Sequence, residues 1–352
     1  MQTTEYSDQS ELLDGLEAAL ERPHTTVLRS SREVDPILDF ARSVDAGLGG
    51  RPRRLDCRFL YDAEGSRLYE RITALPEYYP ARTETDILLA NAERIRRLTG
   101  PANLVEFGSG YSVKTAHLLA AYSGDAEQLV YVPIDVSVSA LRAAGREIGE
   151  QHRAVSVVAV NATYPEAFGL LPRTTPVLAL FLGGSVGNLD PTQAEEFWLG
   201  VADNLQPGDH FLLGIDLDKP AHIIEPAYDD AAGVTRAFTR NLFRRMNREL
   251  DAGVDLDAVE HESFYNRQRQ QVEIYARIER EQRIRIGPLG REHRLAAGER
   301  IQTEVSRKFR LDELLPWLAG FGLERRAVFT DPRDWFALVL LRRRDGDGRS
   351  RH

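Results

Sequence analysis

The chain has 352 residues, of which 42% are hydrophobic and 28% are charged, as is usual for a globular protein with one large or two ordinary domains. A net charge of −9 disfavours nucleic acid or an anionic membrane as the main partner. Cys57 is the single cysteine, so an internal disulfide is excluded and a structural thiol in a reducing cytoplasm is expected. The sequence predicts a cytoplasmic protein without a signal peptide or membrane span, because no stretch approaches about 18 apolar residues.

The middle of the chain alternates between apolar runs and helical patterns. Residues 1–30 are predicted to be a flexible N-terminal lead-in, and 345–352 a disordered tail. The alternation between them predicts an α/β fold, with a parallel sheet covered by helices on both faces. The predicted strands are 103–107, 129–134, 155–160, 176–182 and 210–216, and the predicted helices are 112–122, 137–150 and 192–205.

The pattern changes after residue 216. Asp229 and Asp230 are expected to cap a long helix over 229–250. The remaining predictions are an antiparallel strand pair at 271–278 and 282–287, a strand at 301–309, a helix at 311–321, and an edge hairpin of 327–330 with 335–342. Two domains follow from this order: a cofactor-binding domain of 82–217 and 309–344, and a substrate-binding α+β domain of 31–81 and 218–308.

A glycine-rich turn after the first predicted strand of the sheet indicates a cofactor site. Gly108 and Gly110 let the backbone turn tightly and approach a ligand closely. The next strand ends at Asp135, roughly where an acid meets a ribose hydroxyl. Glu106 before the turn suits a cationic ligand better than a diphosphate, and Val113 occupies the position where the dinucleotide motif requires glycine. The loop therefore predicts S-adenosylmethionine, with NAD as the less favoured alternative.

Two further segments concentrate polar or aromatic residues that a plain core does not need. Tyr78 and Tyr79 lie between prolines; neighbouring side chains on an extended segment point in opposite directions, so one ring could face a pocket. The alternative is a pair of half-buried tyrosines that hold a loop together. The glycine-rich segment 181–188 follows a predicted strand, where open α/β sheets bind ligands. Asn188 at its end is a candidate contact for an amine or a carboxylate, unless the segment only leads into a helix.

Two segments in the later part of the chain have the same character. Tyr228 precedes the acids predicted to cap the long helix, and its own role is open. Glu304 and Ser306 share one face of a predicted strand, and a carboxylate with a hydroxyl could bind both nitrogens of an imidazole. A solvated strand face is the alternative. His261 and His293 lack metal-ligand spacing, so no metal is expected.

Lysine is rare in this chain. Only three of the 45 basic residues are lysines, and all three lie in or beside these motif segments. An ammonium group is not equivalent to a guanidinium, so their positions give weak support to a functional role. The three are Lys114, Lys219 and Lys308.

Taken together, these segments resemble the actinobacterial histidine Nα-methyltransferase family, whose members form hercynine, the trimethyl betaine of histidine, in ergothioneine biosynthesis. The resemblance covers about residues 55–340 and rests on YDAEGSRLYERITALPEYYPARTE, LVEFGSGYSVKT, YVPIDVS, FLGGSVGN, AYDDAAGVT, MNREL, AAGE and TEVSRKF. It implies a Rossmann-like class I methyltransferase sheet with an antiparallel edge hairpin, and S-adenosylmethionine as the cofactor. It also implies L-histidine as the substrate, and we expect a monomer.

The resemblance also implies roles for individual residues. At the substrate, Tyr78, Asn188 and Tyr228 would hold the amine and carboxylate end, with Tyr78 or Tyr228 as candidates to relay the amine proton. Glu304 and Ser306 would hold the imidazole. The remaining candidates are Tyr69 and Gly183 at the substrate, and Glu106, Gly108, Gly110, Lys114, Asp135, Thr163 and Tyr164 at the cofactor.

Three departures from the family pattern bear on the substrate. Thr163 stands where the family usually has an Asp before the aromatic residue at the adenine, Ile274 where a Met is common beside the imidazole, and Gly184 where a Ser is usual. The alternatives are therefore the same chemistry on another amino acid, such as tryptophan or tyrosine, and a non-catalytic homologue that binds S-adenosylmethionine.

Overall fold

The computed structural model describes residues 2–6, 9–20, 25–30, 35–124 and 129–345. The predicted disordered tail lies outside the described residues, apart from Asp345. The strands are β1 (Gln2–Tyr6), β2 (Thr25–Ser30), β3 (Asn103–Phe107), β4 (Leu129–Asp135), β5 (Val155–Asn161), β6 (Val177–Phe181), β7 (His210–Asp216), β8 (Val259–Asn266), β9 (Gln271–Ile278), β10 (Gln282–Ile286), β11 (Arg291–Leu295), β12 (Arg300–Arg307), β13 (Leu323–Thr330) and β14 (Phe336–Arg343).

Eleven α-helices occur in the described part of the chain, and none of them is long and apolar enough to cross a membrane. They are α1 (Gln9–Leu20), α2 (Pro36–Gly49), α3 (Ala63–Thr73), α4 (Tyr79–Thr99), α5 (Ala116–Ser123), α6 (Val138–Gln151), α7 (Tyr164–Ala167), α8 (Pro191–Asn204), α9 (Ala221–Ile224), α10 (Val234–Leu250) and α11 (Leu311–Gly320).

The chain forms two compact units. Unit 1 comprises Met1–Arg32, Arg82–Leu217 and Phe309–His352, and unit 2 comprises Glu33–Ala81 and Asp218–Lys308. Leu217 and Phe309 are the unit 1 residues immediately before and after the second segment of unit 2. They form a parallel bridge with each other, so this segment begins and ends at neighbouring positions. The assignment of cofactor binding to one domain and substrate binding to the other stays a prediction.

Unit 1 is built on a nine-stranded sheet with the order β1-β2-β5-β4-β3-β6-β7-β14-β13. The strands from β1 to β7 pair in parallel, whereas β14 and β13 pair antiparallel at one edge. Strands β4 to β7 are buried almost throughout, which explains why their sequences are continuous apolar runs rather than alternating ones. The predicted α/β sheet with an antiparallel edge hairpin is confirmed.

The N-terminal segment differs from the predicted flexible lead-in. Its described parts form β1, α1 and β2, and β2 pairs with β5 in parallel at the edge of the sheet. Leu12 and Leu16 of α1, together with Leu28 of β2, are buried in the unit 1 core. The segment is short and polar overall, so its few spaced apolar residues are weak evidence for regular structure in the sequence alone. Packing against the sheet is what stabilises these elements.

The strand order reverses at β3, which lies between β4 and β6. The loops after β3 and β6 therefore diverge from neighbouring carboxyl ends, and this is the position at which open α/β sheets bind ligands. The loop after β6 contains a short 3-10 helix, Ser185–Asn188, followed by α8. Asp190 and Gln193 form a capping box at the start of α8, which fixes the end of this loop.

Unit 2 contains a three-stranded antiparallel sheet with the order β12-β9-β8 and a separate pair of β10 with β11. The predicted pairing of 271–278 with 282–287 is wrong, because β9 has β8 on one side and β12 on the other. Two strands absent from the prediction, β8 and β11, account for the difference. Helix α10 packs on α3 and β8, and its buried face includes Phe243 and Met246.

The long helix of unit 2 begins later than predicted, at Val234 rather than 229. Gly233 adopts φ +71° immediately before it. The Asp230 carboxylate accepts hydrogen bonds from the backbone N–H groups of Val234 and Thr235 at 2.9 and 2.7 Å. The predicted capping role is thus confirmed for Asp230, in a loop that precedes the helix.

Candidate active site

The glycine turn after β3 has the close approach that its sequence predicts. Gly108 has φ +65°, and a Cβ there would lie 3.0 Å from the Tyr164 hydroxyl oxygen, so a side chain would be strained and crowded. Gly110 has φ +51°, and no atom lies within 4 Å of the Cβ position. The turn leaves open space beside Gly110 in unit 1, where a ligand can approach the backbone.

Asp135 at the end of β4 fixes this turn from the neighbouring strand. Its carboxylate accepts hydrogen bonds from the backbone N–H groups of Gly110 and Ser137 at 2.9 and 2.8 Å. Burial raises the pKa of the Asp135 carboxyl, and the backbone donors oppose that shift. A carboxylate has about four lone-pair sites, so Asp135 can still accept from a ribose hydroxyl while it holds the turn.

Glu106 lies beneath the turn rather than facing solvent, with only 3% of its surface exposed. Thr115 Oγ1 donates to its carboxylate at 2.8 Å, and the Tyr131 hydroxyl donates to the same group. Burial raises the pKa of Glu106 to about 7, although hydrogen bonds from Tyr131 and Thr115 act in the opposite direction. These hydrogen bonds tie Glu106 to the loop and to β4, and its predicted contact with the cofactor stays a prediction.

Thr163 and Tyr164 follow β5 and are arranged for local packing. The Thr163 hydroxyl and backbone N–H both donate to the Glu166 carboxylate, at 2.7 and 2.9 Å. The Tyr164 ring packs edge-on against Phe181 and Phe197, at centroid distances of 5.2 and 5.7 Å. The Thr163 hydroxyl hydrogen is therefore used in the hydrogen bond to Glu166 at the start of α7. Contact of Thr163 or Tyr164 with the adenine stays a prediction.

A buried carboxylate that the sequence analysis missed links Lys114 with Gly183. Glu84 of α4 is 0% exposed and forms an ion pair with Lys114. Its two carboxylate oxygens also accept from the Gly183 N–H at 2.8 and 2.9 Å. A Cβ on Gly214 would lie 2.1 Å from Glu84 Oε1, so glycine on β7 makes room for the group. Glu84 thereby joins the loop after β3 to the loop after β6.

The loop after β6 places Asn188 at the end of its 3-10 helix. Gly183 and Gly184 adopt φ +78° and +69°, which allows the chain to reverse directly after the strand. The structure thus groups Gly183 with Lys114 and Glu84 in unit 1. The substrate contacts implied for Gly183 and Asn188 stay predictions.

In unit 2, Tyr228 is anchored at both of its ends by the three-stranded sheet. Its carbonyl oxygen accepts from His261 Nε2 and Ser263 Oγ on β8, at 2.9 and 3.1 Å. Its hydroxyl oxygen lies 2.9 Å from Ser306 Oγ on β12. Burial lowers the pKa of His261, so the ring is neutral, donates to the carbonyl and accepts from the Thr239 hydroxyl. His261 is thus a structural residue.

The Tyr228 hydroxyl also meets a buried lysine. Lys308 is 0% exposed, and its Nζ donates to the Tyr228 hydroxyl at 2.6 Å and to Ser306 Oγ at 2.8 Å. The ammonium also lies 4.6 Å from the centre of the Tyr228 ring. Tyr228 and Ser306, two of the substrate residues implied by the resemblance, therefore both accept hydrogen bonds from Lys308. The sequence shows Lys308 as one of three lysines but does not indicate these partners.

Glu304 lies on the same strand as Ser306, directly opposite Ile274 of β9. A register shift between Gln302 and Glu304 adds a residue to β12, and such irregularities re-aim the side chains that follow. Cross-strand neighbours are about 5 Å apart at Cβ, so Ile274 adjoins the Glu304 side chain. Burial, followed by the charge of Glu304, raises the pKa of the Cys57 thiol, which makes an inert structural cysteine the better interpretation.

A chain of aromatic rings runs through unit 2. Tyr69 contacts Tyr61 and Tyr78 at centroid distances of 5.5 and 6.3 Å, and Tyr78 contacts Tyr228 at 6.1 Å. Tyr78 and Tyr79 are both buried, because Tyr78 precedes α4 in a turn and Tyr79 begins the helix. Burial raises the pKa of Tyr78 well above its usual value, so its hydroxyl stays protonated.

The residues of unit 1 fit S-adenosylmethionine. The open backbone at Gly110 and the lone pairs of Asp135 suit a ribose. Val113 and Val136 lie close to these residues in the sequence and are 68% and 47% exposed, so both side chains are available for apolar contacts with the ligand. Such a site defines an α/β protein that binds a nucleoside-containing ligand.

Comparison with known proteins defines the class more closely. The profile of the family described as histidine-specific, SAM-dependent methyltransferases matches residues 40–343. The histidine Nα-methyltransferase of Mycolicibacterium smegmatis is 44% identical over 300 residues, or 85% of this chain and 93% of that protein. That of Mycobacterium tuberculosis is 39% identical over 303 residues, or 86% and 94%. An L-tryptophan methyltransferase of Psilocybe serbica is 26% identical over 323 residues, or 84% and 89%.

The chain belongs to the histidine-specific, S-adenosylmethionine-dependent methyltransferase family. It is therefore an enzyme that uses S-adenosylmethionine as its methyl donor, as the sequence predicts. The NAD alternative is excluded by this membership.

Proposed function

We propose that this enzyme methylates the α-amine of L-histidine, in up to three successive transfers that yield the trimethyl betaine. The observation that carries the proposal is the polar pair on β12, where Glu304 and Ser306 follow each other on one face of the strand. A carboxylate accepts from an imidazole N–H, and a hydroxyl can serve the second ring nitrogen. The names of the two mycobacterial relatives support the same substrate.

The residues of each unit have distinct tasks in this proposal. S-Adenosylmethionine, when bound, supplies the methyl group as the electrophile. In unit 1, Gly108, Gly110 and Asp135 would hold this ligand, and Asn188 would contact the amino-acid end of the substrate. Alignment of two reactants can contribute roughly 7–11 kcal/mol, so positioning is sufficient without a covalent intermediate. Tyr228 or Tyr78 would relay the proton of the substrate amine through a neutral hydroxyl group.

The aromatic chain of unit 2 suits the changing charge of the substrate. A quaternary ammonium is attracted to the faces of aromatic rings by about 0.5–2 kcal/mol per ring. Tyr69, Tyr78 and Tyr228 lie in one continuous set of ring contacts. We infer that these rings stabilise the positive charge that forms on the substrate nitrogen at each transfer, including the quaternary ammonium of the final product.

Tryptophan is the alternative substrate, and the position of Ile274 is the observation that favours it. The branched apolar side chain of Ile274 adjoins Glu304 in the sheet, and a relative from Psilocybe serbica is named for tryptophan. An indole has an N–H for Glu304 but no acceptor nitrogen for Ser306, which favours histidine over tryptophan at this pocket. Cytoplasmic location and a monomeric state stay predictions.

The experiment that tests the proposed pocket is a comparison of Glu304→Ala with Glu281→Ala. We expect Glu304→Ala to lower kcat/KM for histidine by about tenfold or more, because removal of the carboxylate leaves the ring N–H of histidine without an acceptor. Binding of S-adenosylhomocysteine, measured by calorimetry, should change by less than about twofold. Glu281 is exposed on unit 2, so its replacement should leave both quantities unchanged. Unaltered turnover of histidine by Glu304→Ala would remove Glu304 from the substrate site.

A further inference from the structure

Lys308, Tyr228 and Ser306 form a closed triangle of hydrogen-bonding atoms in unit 2. The ammonium lies 2.6 Å from the Tyr228 hydroxyl and 2.8 Å from Ser306 Oγ, and the two hydroxyl oxygens are 2.9 Å apart. Lys308 is fully buried and lies two residues beyond Ser306, so both side chains leave the same side of the chain. A buried ammonium is costly unless it is hydrogen-bonded, and this triangle supplies two acceptors.

The direction of the hydrogen bonds follows from the chemistry of the three groups. An ammonium can only donate, so both hydroxyl oxygens accept from Lys308. Tyr228 and Ser306 have one hydroxyl hydrogen each, and one of these two hydrogens forms the hydrogen bond between them. A phenol is more acidic than an alcohol, with a pKa of about 10, and is therefore the better donor. With Tyr228 as the donor to Ser306, the hydrogen of Ser306 is left for an acceptor outside the triangle.

We propose that Lys308 is a positioning residue that sets the hydrogen-bond polarity of the substrate pocket, so that Ser306 donates to an acceptor nitrogen of the substrate ring. The inference rests on the proposed function. Glu304 can only accept when ionised, so the two groups together recognise one N–H and one lone pair. This pair of features is present in a neutral imidazole and absent from an imidazolium, a pyrrole or an indole.

The test uses substrate analogues to separate this role from general support of the fold. The two carbon-linked isomers of β-pyrrolylalanine, joined through C2 or C3 of the ring, keep one ring N–H but replace the acceptor nitrogen with C–H. The wild-type enzyme should prefer histidine over the better isomer by about a hundredfold or more in kcat/KM, since a site built to hydrogen-bond a group rejects analogues that lack it. In Lys308→Met this preference should fall by about tenfold or more, chiefly through a higher KM for histidine.

A matched control is available in the same unit. Lys219 donates to the Tyr79 hydroxyl at 3.0 Å and lies 4.7 Å from its ring centre, so it contacts a tyrosine as Lys308 does, although it is only partly buried. Lys219→Met should keep the wild-type preference for histidine. In Lys308→Met, the KM for S-adenosylmethionine should stay within about twofold of wild type.

A double-mutant cycle decides whether Lys308 acts through Ser306. The variant with Lys308→Met and Ser306→Ala should discriminate no less than Ser306→Ala alone, because residues that act as one unit are not additive. Equal losses on histidine and pyrrolylalanine in Lys308→Met would overturn the proposal, as would additive losses in the cycle. If Lys308→Met does not fold, a Ser306→Ala enzyme with undiminished preference for histidine would overturn it equally. A wild-type enzyme that methylates no histidine would instead contradict the proposed function itself.

Discussion

At the scale of single residues, the ionisation of Glu106 is expected to control the stability of unit 1. Its pKa is raised to about 7 in the folded protein, against an ordinary value of 4.5, chiefly by burial. The folded state therefore keeps a proton that the unfolded chain has released between these two values. The stability contributed by this proton is fully present below pH 4.5 and is lost as the pH rises through about 7.

Glu106→Gln removes this dependence. The free energy of unfolding of the variant, relative to wild type, should rise between pH 4.5 and 7 by about 3 kcal/mol, from about 1.4 kcal/mol per pKa unit. Chemical denaturation across this pH range measures the difference. Thr115→Val removes one hydroxyl donor to the carboxylate and should extend the dependence to higher pH. A constant difference between Glu106→Gln and wild type would contradict the raised pKa.

The sequence predicted the types of the site residues better than their contacts. Gly108 and Gly110 have the positive φ angles that their loop requires. Glu106 was expected to face a cation, yet it is buried under the loop, because no local pattern shows that Thr115 and Tyr131 supply its hydrogen bonds. Glu84 escaped notice for a similar reason, since its partners lie far away in the chain and a helical glutamate usually faces solvent.

At the scale of elements, Glu84 connects the two loops of unit 1 that follow β3 and β6. The carboxylate holds Lys114 of the first loop and the Gly183 N–H of the second. We expect Glu84→Gln and Lys114→Met each to lower kcat/KM for S-adenosylmethionine by about tenfold, because both disturb the alignment of the loops. Their effects should couple by about 1 kcal/mol or more in a double-mutant cycle, as expected for groups in direct contact.

An exposed ion pair in the same unit provides the comparison for this cycle. Arg344 and Glu324 lie 2.8 Å apart, and both are about half exposed. Exposed pairs typically contribute about 0.2–1 kcal/mol to stability, and this one is remote from the loops in sequence. The cycle of Glu324→Gln with Arg344→Met should show no coupling in kcat/KM. Additive effects of Glu84→Gln and Lys114→Met would show that the two loops are not linked through this pair.

The elements of the parallel sheet were predictable because each buried strand is a continuous apolar run between turns. The strands of unit 2 were harder, since β10 alternates between buried and exposed residues and the second half of β9 alternates between buried and partly buried ones. Adjacent runs of this kind suggest a hairpin, but pairing depends on distant strands such as β12, whose position the local sequence does not encode. Tertiary packing also decided the N-terminal strands, which are only five and six residues long.

At the scale of the whole molecule, each unit carries residues for a different part of the proposed chemistry. Unit 1 has the open glycine turn and the acid at the end of β4. Unit 2 has the polar pair of β12 and the chain of tyrosines. Family membership establishes the methyltransferase class. The identity of the amino-acid substrate and the number of methyl transfers are proposals, argued from the residues of unit 2.

The most direct test is mass spectrometry of the purified enzyme with S-adenosylmethionine and an equimolar mixture of the twenty amino acids. We expect a product that is heavier than histidine by three methyl groups, with partly methylated histidine as a minor species. Loss of this product in Glu304→Ala, under conditions where Glu281→Ala is fully active, would assign Glu304 to the histidine site. Methylation of another amino acid in preference to histidine would contradict the proposed substrate and move attention to Ile274.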